Sequence, residues 1–167
     1  MIPVNSFTAL LLAVLFAVTS CATGISEQVR SQVTFAGSFA ELKAAPQRFH
    51  NETALLGGKI IEVGVADQVT EIIVLQLPLN RREQPVDKDQ SQGRFIVRSS
   101  QFLDPAIYAA GTLVTVVGRV SAGQIRAIGQ MDYLYPVLDL VELKKWSAQE
   151  LQSPRFHFGV GVGTHFD

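Results

Sequence analysis

The sequence predicts a mainly β domain, a small five-stranded barrel with short flanking helices, preceded by an export leader. Three observations carry this reading. Apolar runs rich in Val, Ile and Leu recur from residue 54 to residue 143, each ended by turn residues. The chain holds 13 glycines and 7 prolines, a balance that leans toward strands and turns. Two adjacent glycines, Gly57 and Gly58, sit inside one apolar run, as at the corner of a small barrel.

The leader comes first. Phe7–Val18 is apolar apart from Thr8. As a helix it would rise roughly 18 Å, well short of the ~30 Å hydrocarbon core that a permanent span must cross. Its length and position fit the apolar region of a secretory signal, although no Lys or Arg precedes it. The run closes on Val18-Thr19-Ser20-Cys21, which resembles the lipobox of bacterial lipoproteins. Cys21 is the only cysteine, and an odd thiol in an exported chain needs a use. The resemblance supplies one: a diacylglyceryl thioether on Cys21 and, after cleavage, an acyl group on its new amine. A soft thiolate is the nucleophile such chemistry needs, and two or more chains give stable anchoring. Ala22 rather than Asp follows the cysteine. By resemblance to lipoprotein sorting, this directs the protein to the outer membrane.

The expected organisation is a signal peptide over 1–20, a lipidated tether over 21–36, a β-rich domain over 37–150 and a Gly/aromatic strand over 151–167. Within the domain, Ser38-Phe39-Ala40-Glu41 is a capping box that opens a short helix stopped by Pro46. Phe39 and Leu42 share its core-facing side. Leu55–Val65 and Val69–Leu79 read as strands joined by a turn at Asp67-Gln68. Asn80–Gln92 is polar, lacks periodicity and reads as a long exposed loop. Gly93–Ser99 alternates, with Phe95 and Val97 on one face and Arg94, Ile96 and Arg98 on the other. Asp104-Pro105 fits an N-cap and first position of a short helix. Leu113–Val120 is a strand, Ser121-Ala122-Gly123 a hairpin turn, and Gln124–Ile128 the returning strand. Tyr133–Leu143 is extended, with Pro136 marking an edge or bulge. Ser147-Ala148-Gln149-Glu150 repeats the capping box, and Pro154 ends that helix. The order of three strands, a short helix and two strands is the OB-fold plan. A split sandwich would give the same pattern.

The chemistry is sparse. A formal net charge of −1 gives no reason to expect nucleic acid as a partner. One cysteine excludes internal disulfides and cysteine metal clusters. Of the three histidines, His157 and His165 lie eight apart, roughly 26 Å in extended chain, and His50 is distant, so no metal site is assigned. No Gly-x-Ser-x-Gly, Walker or His-Glu-x-x-His motif occurs, and no catalytic residue is named. Asp104 is explained as a cap and Glu62 as a solvent-facing acid. Arg94 and Arg98 share one strand face and are the candidate contacts for an anionic ligand; the competing reading makes them ordinary edge charges. The closing Phe/Gly alternation from Phe156 to Phe166 reads either as a membrane-barrel strand or as an edge strand for a partner.

Pro46 to Phe49, Gly57-Gly58-Lys59-Ile60-Ile61 and Gln92-Gly93-Arg94 continue into Phe102-Leu103-Asp104-Pro105 with Tyr108. Val116-Val117-Gly118, Tyr133-Leu134-Tyr135 and Trp146 complete the set. In this order and spacing they resemble the starvation-inducible outer-membrane lipoproteins of the Slp family. The tail departs from that family in having little Trp, Tyr or Pro. The resemblance implies a lipid-anchored protein of the Gram-negative outer membrane, linked to stress or stationary phase. It implies no enzymatic activity and no cofactor beyond the acyl groups on Cys21. The acyl groups make outer-membrane lipid a partner, and the tether with the absence of a catalytic constellation points to an envelope protein as a second.

Overall fold

The Val/Ile-rich run after residue 52 forms one long strand, β1 (Thr53–Ala66), whose two halves serve different neighbours. The computed structural model describes residues 24–66, 69–86 and 90–151. The leader, Cys21, the turn at 67–68, Asp87, Lys88 and Asp89, Pro154, His157, His165 and the closing Phe/Gly alternation lie outside the described residues. β1 pairs antiparallel with β2 (Val69–Leu77) over Gly57–Ala66 and with β4 (Leu113–Val120) over Thr53–Lys59. β2 pairs with β3 (Arg94–Ser99). β7 (Val137–Lys145) then closes the ring, parallel to β3 and antiparallel to β4. The result is a closed barrel ordered β1-β2-β3-β7-β4, the expected OB-like topology. Gly57 and Gly58 lie where β1 is shared. A Cβ at Gly58 would run into the Leu75 carbonyl oxygen and Val74, so only glycine permits this approach.

Two register shifts set which side chains face inward. One falls between Ile60 and Glu62 in β1, the other between Val117 and Gly118 opposite Glu142 and Leu140 in β7. Each extra residue moves the inward face by one, so Ile60 and Val63, and likewise Leu140 and Leu143, all pack on the core. Glu62 is left exposed, as its alternation predicts. The barrel is filled by Leu56, Ile72, Val74, Phe95, Val97, Val114 and Val116, with Leu138 from the closing strand.

Two plugs close the core. Helix α2 (Phe39–Ala44) has its full capping box: the Glu41 backbone N–H donates to Ser38 Oγ, and the Ser38 N–H donates to Glu41 Oε2. It buries Phe39 and Leu42, and the Phe39 ring meets Phe95 at 5.9 Å. A 3-10 turn, Pro46–Phe49, leads into β1. The connection after β3 supplies the second plug through Leu103 and Tyr108. Here the expected helix is one turn only. Asp104 does cap it, accepting from the Ala106 N–H at 2.8 Å, but the chain leaves the turn after Tyr108.

Three further expectations are corrected. Gln124–Ile128, β5, does not return on β4. It pairs with β6 (Met131–Tyr135) through a two-residue turn at Gly129-Gln130, where Gly129 has φ 62°. Pro136 is neither edge nor bulge but the corner between β6 and β7, with its carbonyl accepting from Ile96. The 80–92 connection is not simply exposed: Pro85 is buried, Glu83 is ion-paired to Arg30 at 2.8 Å, and the Glu83 carbonyl accepts from Thr115 Oγ1. A non-local partner for a charged stretch has no sequence signature.

The stretch read as a tether also docks. Ile25 is 4% exposed, and α1 (Glu27–Arg30) follows it. Ser26 donates from both N–H and Oγ to the Glu142 carboxylate at 2.9 and 2.5 Å. Thr34 and Phe35 donate to the Thr53 carbonyl, and Phe35 stacks edge-on against Phe49 at 5.0 Å. At the other end, α3 (Ala148–Leu151) carries the second capping box, with Lys144 paired to Glu150 at 2.7 Å. The Lys144 hydrogen bond, with those from Ser147, holds the Glu150 carboxyl at about 2, against 4.5 for an ordinary glutamate. Because the folded value is the lower one, the stabilisation is full above about pH 4.5 and fades as pH falls toward about 2. Trp146, the only tryptophan, sits with its ring 5.2 Å from Lys144 Nζ. Its fluorescence should change over that acid range, and Glu150→Gln should remove the transition.

Candidate functional site

The outward residues of β2 and β3 form the surface on which OB folds ordinarily bind ligands. Alternation places Glu71 and Ile73 from β2, and Arg94, Ile96 and Arg98 from β3, on this face. The β5–β6 hairpin lies across it. Ile96, Tyr135 and Val137 form a second, smaller apolar cluster, with Ile73, Ile128 and Tyr133 packed against it. Ile96 is fully buried, which a strand facing solvent would not allow.

Polar groups fasten the hairpin. Tyr133 Oη accepts from the Arg94 backbone N–H at 2.7 Å, and Lys43 Nζ stands 4.6 Å above the Tyr133 ring. Glu71 is the hub: Oε1 accepts from Arg98 Nε at 2.8 Å and Oε2 from Arg126 Nη2 at 2.6 Å. Gln124 Oε1 accepts from both arginines, closing a four-residue network between barrel and hairpin. Burial pushes the Glu71 carboxyl up, but the hydrogen bonds from Arg98 and Arg126 outweigh it and leave it below the usual glutamate range. The side chains are about a third exposed, so removing the hub by Glu71→Ala should cost only about 1 kcal/mol. Its clearer effect should be faster amide hydrogen exchange in β5 and β6, with the barrel amides unchanged.

The structure therefore places the two candidate arginines differently. Arg98 is held by Glu71 and Gln124. The Arg94 side chain is half-buried and has no hydrogen-bond or ion-pair partner among the described residues. The sequence reading found neither Glu71 nor Arg126 nor Gln124. Their bonds across barrel and hairpin join residues 26 to 55 positions apart, and charged residues in strands look the same whether paired or solvated. Among the described residues, no group of three or more His, Cys, Asp or Glu side chains is placed to hold a metal ion. No helix among them is long and apolar enough to cross a membrane.

Comparison with known proteins adds what geometry does not. The family model for the outer membrane lipoprotein Slp family matches residues 18–161. The chain belongs to the Slp family. Outer membrane protein Slp of Escherichia coli is 28% identical over 161 residues, 92% of this chain and 84% of that one. An uncharacterized protein of Haemophilus influenzae is 33% identical over 111 residues, 66% of this chain and 60% of its own length. The uncharacterized lipoprotein YeaY of E. coli is 31% identical, over 62% of this chain and 53% of its own. Among solved structures, the chain is similar to a small single-stranded DNA-binding protein from Streptomyces coelicolor (TM-score 0.39, 13% identical, 59% of this chain and 97% of that one). It is also similar to the single-stranded DNA-binding protein Rim1 of S. cerevisiae mitochondria (TM-score 0.36, 14% identical, 56% and 91%). As a Slp-family member, the protein is a lipoprotein of the envelope, located at the outer membrane.

Proposed function

We propose that this Slp-family protein is a non-enzymatic envelope component, held through acyl groups on Cys21, that stabilises the outer membrane by binding an envelope protein partner. The observation that carries the reading is the β5–β6 hairpin seated on the β2–β3 face. It fills with Tyr133, Tyr135 and Ile128 the surface that a ligand-binding OB fold leaves open. The same occlusion, with a net charge of −1, supports the absence of nucleic acid among its partners. Family membership supports a link to stress or stationary phase, which protein abundance across growth would test. Crosslinking in the intact envelope, followed by identification of the attached chains, tests partner binding. Recovery of one reproducible envelope protein is the expected result, and recovery of lipid alone is the contrary one.

A second reading rests on Arg94. Arg94, a half-buried residue whose side chain has no partner among the described residues, suits an anionic envelope ligand bound beside the hairpin. Arg94→Ala should then lower capture of such a ligand, whereas Arg98→Ala should act mainly through the Glu71 network.

A further inference from the structure

We propose that one face of the barrel lies against the bilayer: the face built by α1, the turn at Asn80–Gln84 and α3 over the outside of β4 and β7. This rests on the anchored reading of Cys21 and adds an orientation to it. Ile25 is buried and Ser26 is bonded twice to Glu142 in β7, so the chain is fixed to the body of the protein at residues 25 and 26. Ile25 lies four positions after Cys21, a reach of at most about 14 Å in extended chain. A domain of this size has a radius of gyration of about 14 Å and so a diameter more than twice that reach. The acylated end therefore cannot pass round to the far side.

The ring order decides which side is near. In β1-β2-β3-β7-β4, β4 stands opposite the β2–β3 seam that carries the hairpin. The near face is tied together by named contacts. Trp146 Nε1 donates to Thr115 Oγ1 on β4, and Thr115 Oγ1 in turn donates to the Glu83 carbonyl. Gln84 Nε2 donates to the Glu150 carbonyl, so α3 and the turn are joined. Arg30 is paired to Glu83, beside Gly24. The turn presents Arg81 and Arg82 to solvent, while Val141, the bulged residue of β7, and Leu151 are 41% and 42% exposed. Two exposed cations with two exposed apolar side chains suit a layer of lipid phosphates over acyl chains. More exposed apolar groups exist elsewhere, Met131 at 75% and Ile125 and Phe102 both at 67%, but Met131 and Ile125 lie on the hairpin, beyond the reach of the anchor.

The test uses acylated full-length protein in vesicles of phosphatidylethanolamine and phosphatidylglycerol carrying a headgroup quencher. Single labelling sites are made by Arg82→Cys, Ile125→Cys and Phe102→Cys, each bearing the same fluorophore. Several-fold stronger quenching at position 82 than at 125 or 102 is the expected result. Equal quenching at the three sites, or stronger quenching at 125 or 102, in protein that floats with the vesicles overturns the orientation and leaves the anchor intact. Failure of the unlabelled acylated protein to float refutes the anchor and the orientation together.

Discussion

Phe95→Ala is expected to remove about 3–5 kcal/mol of folding free energy. Phe95 is fully buried at the centre of the barrel and is the ring against which Phe39 of α2 packs. Truncation would leave a void bounded by closed-barrel strands, whose backbone hydrogen bonds resist collapse into it. The loss is a fifth or more of the stability of a typical domain, about 5–15 kcal/mol. Chemical denaturation should show a lower midpoint with little change in slope. Phe95→Leu, which keeps most of the volume, should cost about 1.5 kcal/mol or less. A loss below about 1 kcal/mol for Phe95→Ala would mean that α2 moves in to fill the space, against the packing described.

Cys21→Ser should have the largest effect on location. A hydroxyl lacks the nucleophilicity of a thiolate, so the thioether cannot form and the lipid-dependent cut cannot follow. Each buried CH₂ of an acyl chain holds the protein by about 0.8 kcal/mol, and losing every chain removes the anchor outright. Membrane fractionation should find the variant gone from the outer membrane and its leader uncleaved. Mass spectrometry of the unaltered protein should find the acyl masses on Cys21. A variant that is trimmed normally and remains in the outer membrane would exclude thioether anchoring.

The barrel was legible in the sequence because its signals are local. Both capping boxes place a hydroxyl and a carboxylate three residues apart, and both formed. Gly57-Gly58 announced a close approach, and β1 is shared between two strands there. The misreadings come from partners that are distant in sequence. Nothing near Gln124 says whether β5 pairs with the strand before it or the strand after it. The Gly129 turn decides for β6, and Pro136, which reads as an edge or bulge, turns the chain back into the barrel. The docked N-terminal segment was missed for the same reason: Ser26 and Glu142 are 116 positions apart. The alternation of β3 puts Arg94 and Arg98 on one face, as the sequence predicts. The hairpin over them was not foreseen, because its apolar contacts with Ile96 and Ile73 join three separate segments.

The parallel pairing of β3 with β7 has a consequence for export. Until Val137–Lys145 is available, neither β3 nor β4 has its outer neighbour, and the ring stays open. A chain threading through a narrow translocation pore therefore carries no finished body to jam it. Folding dominated by such late, long-range pairing is intrinsically slow. That delay favours a polypeptide that must remain threadable until Val137–Lys145 has crossed.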